Sequence, residues 1–235
     1  MELGWLLMNR PAVIVLLLVG GAMLLLAGQR EGGPIDGDGN PLNNWNLDAL
    51  TDNAMTLFNR AQDAVASATD TTPPDQVAIN RAAWVTMIGQ AEGADYSTCF
   101  GYRFTISDFT DHPAVMGTWT GEKLSDDMCA NAGFGPGCVS TAAGKGQIKK
   151  ATWLRVKGKL GLVDFSPASQ DAAILQLTAD RGALAAVDAG DLTTAVSRCR
   201  NEWASLPGNY AKQGQRSLDQ LLTWFNQAGG QAVTA

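Results

Sequence analysis

Along the chain the spacing of apolar positions changes several times. From Pro11 to Gly28 (PAVIVLLLVGGAMLLLAG) no charged or strongly polar side chain occurs. An eighteen-residue helix rises about 27 Å, enough to cross a bilayer core. The run therefore predicts a single transmembrane helix within residues 1–30. A cleaved signal peptide would want a basic start, a shorter apolar region and a small-x-small site, and LLLAG supplies no good one. Residues 29–44 (QREGGPIDGDGNPLNN) then read as a linker rich in Gly, Asp, Asn and Pro. Over 45–68, Leu47, Leu50, Ala54, Leu57, Phe58, Ala61 and Val65 recur at helical spacing, which predicts an amphipathic helix. The break TDTTPP at 69–74 ends this region. The predicted organisation is an anchor (1–30), a linker carrying an amphipathic helix (31–74) and a folded domain (75–235).

Within that domain most apolar positions keep helical spacing. Asp75 after Pro73-Pro74 is a predicted N-cap, and Val77, Trp84, Met87, Ile88 and Ala91 mark one face of a helix running to about residue 92. Residues 95–145 differ, with FGYRFTIS, GTWTGE and AGFGPG predicting short strands and loops. Helices resume near Gln147. Ser166-Pro167 begins another, Gly182 stops it, Asp191 caps a helix expected to end near Ala204, and a last one covers about 217–227. The fold class predicted is α+β: a helical body, a small β-rich lobe and a cleft between them.

Charge and cysteine content narrow the function. The net charge is -6 and no basic block exceeds Lys149-Lys150, so the electrostatic footprint of a nucleic-acid binder is absent. With 46% hydrophobic and 17% charged residues the chain can build a packed core. One histidine, His112, and no C-x-x-C argue against a zinc site, and no cofactor motif is found. GKGQIKKAT lacks the spacing of a phosphate loop. Cys199 shares a helical face with Leu192, Ala195, Val196 and Trp203 and is expected in the core. Cys99, Cys129 and Cys138 lie in the loop-rich stretch, where one disulfide is expected outside the cytoplasm. Spacing does not choose the pair, although Cys129–Cys138 closes the smallest loop.

The candidate chemistry lies in TMIGQAEGADYS, where an apolar stripe ends in a carboxylate. Glu92 follows Ile88 by four residues and Trp84 by eight, so it continues the buried face. The end of a helix disfavours negative charge, and so does burial. Both push the carboxyl pKa upward, the direction a general acid needs near neutral pH.

Residues 78–230 resemble the endolysin family of bacteriophage lambda, lytic transglycosylases of the lysozyme superfamily. The resemblance rests on AEGAD (91–95), SDFTDHP (107–113), STAAGKGQ (140–147), LGLVDFSPASQDAAILQ (160–176), RGAL (181–184), AVDAGD (186–191) and RCRNEWASLPG (198–208), all in the family's order. It implies a lysozyme-like fold and cleavage of the MurNAc–GlcNAc β-1,4 bond of peptidoglycan, with formation of 1,6-anhydromuramic acid. It also implies that Glu92 is the single catalytic carboxylate. Gln147 matches a glutamine expected near the substrate, and Tyr102 and Tyr210 are expected, more loosely, along the groove. Asp95, Asp108 and Asp111 are expected to cap or turn the chain. Gly146 stands where an aromatic residue is expected, a change expected to widen or weaken a sugar subsite.

The expected partners are glycan strands, a lipid membrane through residues 11–28, and a virion or a second copy through 45–68. The expected location is a single-pass membrane protein with its domain on the periplasmic side, or the membrane of a lipid-containing virion. The expected role is host lysis or wall penetration at infection. An inactive wall-binding or virion structural protein on the same scaffold is the alternative.

Overall fold

The computed structural model describes residues 73–131, 133–209 and 214–233. The predicted anchor, the linker with its helix, and Tyr210 lie outside the described residues. No helix among those described is long and apolar enough to cross a membrane.

Helix α1 (Pro74–Glu92) is the spine. Pro73 occupies the N-cap and Pro74 opens the first turn, where proline's missing N–H costs nothing. Asp75, expected as the cap, instead lies in the first turn, where the helix dipole favours its charge. The helix stops because Gly93 turns left-handed (φ 66°) and donates its N–H to Gln90 O, while Ala94 N–H reaches Gly89 O at 2.9 Å. Ala83, Trp84, Met87 and Ile88 are fully buried. Each large side chain hidden here contributes about 2 kcal/mol through loss of apolar surface to water.

After two short helices, α2 (Pro113–Met116) and α3 (Asp126–Asn131), come α4 (Lys150–Leu160), α5 (Pro167–Asp180), α6 (Leu184–Ala189), α7 (Leu192–Cys199) and α8 (Leu218–Gln227); α5, α6 and α8 pack on α1, α4 on α5, and α7 on α6. Trp84 meets the edge of Trp203 with ring centroids 6.3 Å apart, and its indole N–H donates to Thr178 Oγ1 on α5 at 2.8 Å. Arg81 grips Asp188 of α6 through two bonds of 2.6 Å. Phe225 and Leu221 of α8 fill the other side of the core. The helix starts are capped: Ser166 accepts from Ser169 N–H, Asp191 from Thr194 N–H as predicted, and Ser217 makes a full capping box with Gln220. Helix α7 ends at Cys199, short of the expected Ala204. Beyond it Asn209 Nδ2 donates to Arg200 O, and turns continue to bury Trp203 and Leu206.

The second lobe is less β-rich than predicted. Strands β1 (Glu122–Lys123) and β2 (Val139–Ser140) form one antiparallel ribbon in the register Glu122↔Ser140, Lys123↔Val139. Thr98↔Thr105, Cys99↔Ala143 and Ala143↔Ile148 add isolated bridges. Side chains hold backbone groups in and beside this lobe: Asp95 accepts from Ser97 N–H, Asp108 from Thr110 N–H and Thr141 from Lys150 N–H. Cys129 and Cys138 form the disulfide that staples the β1–β2 connection, and Cys99 and Cys199 remain buried thiols.

Candidate active site

Glu92 closes α1, half-buried, at the point where the helical body meets the 95–149 lobe. Its Oε1 accepts a 2.6 Å hydrogen bond from the hydroxyl of Ser205, 113 residues away in sequence. Burial raises the carboxyl pKa above its ordinary range, while Ser205, through hydroxyl and backbone N–H, and the charge of Arg216 pull the other way. The net direction is upward, as the sequence predicts.

The carbonyls at the end of α1 are also accounted for. Arg216 Nε donates to Ala91 O at 3.1 Å. The Tyr102 hydroxyl lies 3.5 Å from Glu92 O and 3.4 Å from Gly93 O. Tyr102 is 70% exposed, so its ring stands open to solvent beside the end of α1. Gln147 is positioned differently. Its amide N–H groups face the protein, donating to Gly144 O (3.0 Å) and Thr98 O (3.3 Å), which ties the 98–105 loop to the 140–148 loop. Contact with a substrate would thus fall to its carbonyl oxygen. Among the described residues, Tyr102 (φ 60°) and Gln147 (φ 46°) are the two non-glycine residues with positive φ. Backbone held in that region costs about 1–2 kcal/mol and concentrates at functional sites.

Gly146 does not widen a groove. A Cβ there would lie 2.7 Å from Ile174 Cγ1, so the direction of its missing side chain points into the core, and Gly146 O accepts the Trp203 indole N–H at 3.0 Å. The departure from the family pattern is absorbed inside the molecule.

The neighbouring aspartates serve local structure. Asp95 accepts from Thr98 and Ser97, and these bonds hold its pKa low. Asp108 is likewise lowered by Thr110. Burial opposes ionisation of Asp111, but bonds from Lys157 (2.6 Å), Trp153 (2.7 Å) and the His112 N–H outweigh it. His112 is fully buried, accepts the Ala114 N–H at Nδ1 as the cap of α2, and lies 3.0 Å from Ile148 O through Nε2. Those partners define the neutral Nε2–H tautomer. Burial pushes the Cys99 thiol up to about 12, which makes it a poor nucleophile. Among the described residues no group of three or more His, Cys, Asp or Glu side chains is placed to hold a metal.

A separate cavity of about 530 Å³ opens along α1 between Val77 and Thr86, against Tyr96, Lys145 and Asp171. Asp171 Oδ2 accepts from the Tyr96 hydroxyl, which in turn accepts from Lys145 Nζ at 2.9 Å. Burial raises the Asp171 pKa, and its Oδ1, 3.9 Å from Lys145, accepts no hydrogen bond. Glu92 does not line this cavity.

A carboxyl at the end of a buried central helix, facing a loop-built lobe, defines a lysozyme-like protein. Two solved structures share the fold: phage lambda lysozyme complexed with a chitohexasaccharide (TM-score 0.55, 34% identity, 66% of this chain and 97% of that one) and lysozyme from bacteriophage lambda (TM-score 0.53, 33% identity, with the same coverage). The endolysin of Escherichia phage lambda is 36% identical over 159 residues, 64% of this chain and 91% of its own length. The endolysin of Escherichia phage P2 is 35% identical over 154 residues, 64% and 93% respectively. The Endolysin family model matches residues 82–232, and the chain belongs to that family.

Proposed function

We propose that this protein is a membrane-anchored, phage-encoded lytic transglycosylase that cleaves the MurNAc–GlcNAc β-1,4 bond of peptidoglycan. The observation that carries the reading is Glu92: a half-buried carboxyl with a raised pKa, hydrogen-bonded by Ser205, at the end of α1 in an endolysin-family chain. The glycan bound in the related lambda structure supports a polysaccharide substrate.

Protonated Glu92 donates its proton to the leaving glycosidic oxygen as the C1–O bond breaks. The carboxylate so formed takes the proton of the sugar's own C6 hydroxyl, whose oxygen bonds to C1. Glu92 is protonated again, one bond has been exchanged for another, and no water is consumed. A hydrolase with paired carboxylates would need a second acid across the bond. Asp95 and Asp111 are instead occupied by the hydrogen bonds given above. Tyr102, Gln147 and Tyr210 are assigned to the substrate groove.

Residues 11–28 would hold the enzyme in the cytoplasmic membrane with its domain on the wall side, or in the membrane of a lipid-containing virion. Host lysis or wall penetration follows from which of these membranes it occupies. An inactive structural role has less to support it, because Glu92 keeps both its acid-raising burial and its polar partner. Glu92→Gln is expected to abolish cleavage of purified walls, a loss of about 10³-fold or more, while leaving the circular dichroism unchanged. A fully active Glu92→Gln protein would overturn the assignment.

A further inference from the structure

Ser205 and Arg216 close a ring around the end of α1. The Ser205 hydroxyl binds Glu92 Oε1 at 2.6 Å. The carbonyl of the same residue accepts the Arg216 backbone N–H at 2.8 Å. Arg216 then returns to α1 through Nε to Ala91 O, 3.1 Å away. The last turn of α1 has no basic residue of its own, so Arg216 supplies the cation that its exposed carbonyl dipoles favour. Ser205 is buried, which fixes the donor against the carboxyl.

The C=O oxygen of a protonated carboxyl is a better acceptor than its O–H oxygen. A Ser205 hydroxyl that donates to Oε1 therefore favours the form in which Oε1 is the C=O oxygen and the acid hydrogen sits on Oε2. When Glu92 is ionised the same bond persists and strengthens, because its acceptor is then charged. We propose that Ser205 and Arg216 are positioning residues for Glu92, reserving Oε1 as an acceptor so that Oε2 carries the transferable proton, and favouring the carboxylate that must form between the two transfers. The ring thereby offsets the burial that would otherwise hold the proton too tightly for efficient donation.

Among the described residues, the groups facing Glu92 are few. Arg216 comes from the segment before α8, and its side chain also lies over the Trp224 ring. The Tyr102 phenol, from the loop after Cys99, faces the backbone carbonyls of Glu92 and Gly93. Ser205 is neutral.

The catalytic part of this inference rests on Glu92 being the acid, so the test reads the carboxyl directly. The chain has five glutamates, which makes carboxyl-13C-labelled full-length protein in detergent micelles assignable by NMR. Ser205→Ala and Arg216→Gln are each expected to move the Glu92 titration midpoint to higher pH by about half a unit or more. Ser205→Thr and Arg216→Lys, which keep the hydroxyl and the charge, should stay near the wild-type midpoint. The alkaline limb of wall cleavage should move with the midpoint, and Ser205→Ala should lose about ten-fold in maximal rate. An unmoved midpoint in both Ser205→Ala and Arg216→Gln would overturn the proposal, as would equal shifts in the conservative variants. If Glu92→Gln retained cleavage, the catalytic reading would fail by itself, and the titration would still decide whether the ring sets the carboxyl.

Discussion

Glu92 is legible in the sequence because a carboxylate that extends an apolar helical stripe has to be at least partly buried there. Burial raises its pKa whatever the remainder of the fold does. Ser205 carried no such signal. It is brought to Glu92 only by tertiary structure, across 113 residues, and nothing in its local pattern marks it. Tyr102 and Gln147 are singled out by the family resemblance alone, and their left-handed backbone is a property of the fold that no spacing reveals. That backbone allows a test separating function from stability. Tyr102→Gly removes a largely exposed side chain and relieves a positive φ, so chemical denaturation should show stability unchanged or raised by up to about 1 kcal/mol. Cleavage of purified walls should nevertheless fall several-fold. A variant that cleaves like wild type would remove Tyr102 from the groove.

At the scale of elements, helices α1, α5 and α8 follow from apolar periodicity and from the caps and stops at their ends. The exceptions have local causes. α7 stops at Cys199 because the chain after it turns, with Glu202 N–H bonding Cys199 O and Asn209 holding Arg200 O, although Trp203 still reaches the core. The predicted strands shrink to one two-residue ribbon and isolated bridges, and side chains hold turns beside them, Asp95 accepting from Ser97 N–H and Asp108 from Thr110 N–H. Asp111 joins that lobe to α4 by receiving Trp153 and Lys157 together. Its folded pKa lies below the ordinary value of 3.8. The linkage sign is therefore that of a depressed carboxylate: stability is fully present above the ordinary value and is lost as pH falls through the folded one. Asp111→Ala should cost about 2 kcal/mol at neutral pH, and the difference from wild type should shrink in acid. Urea midpoints of both proteins, at neutral pH and below the ordinary carboxylate value, measure this. A cost that stays constant into acid would mean that Asp111 contributes by packing and not by charge.

The whole molecule joins a lysozyme-like domain to an amino-terminal region whose pattern speaks of a membrane and whose 72 residues lie outside the described structure. The family match, over residues 82–232, belongs to the domain alone. Under the proposed function, what the protein does to a glycan would rest on Glu92 at the end of α1 and on the loops beside it. The proposed membrane location would rest on residues 11–28. The chemistry is decided by the products released from purified peptidoglycan by the full-length protein in detergent, identified by mass spectrometry of the muropeptides. Ends bearing 1,6-anhydromuramic acid, absent with Glu92→Gln, are the predicted result. Hydrated reducing ends would contradict it, because they require water in place of the sugar's own C6 hydroxyl to bond to C1.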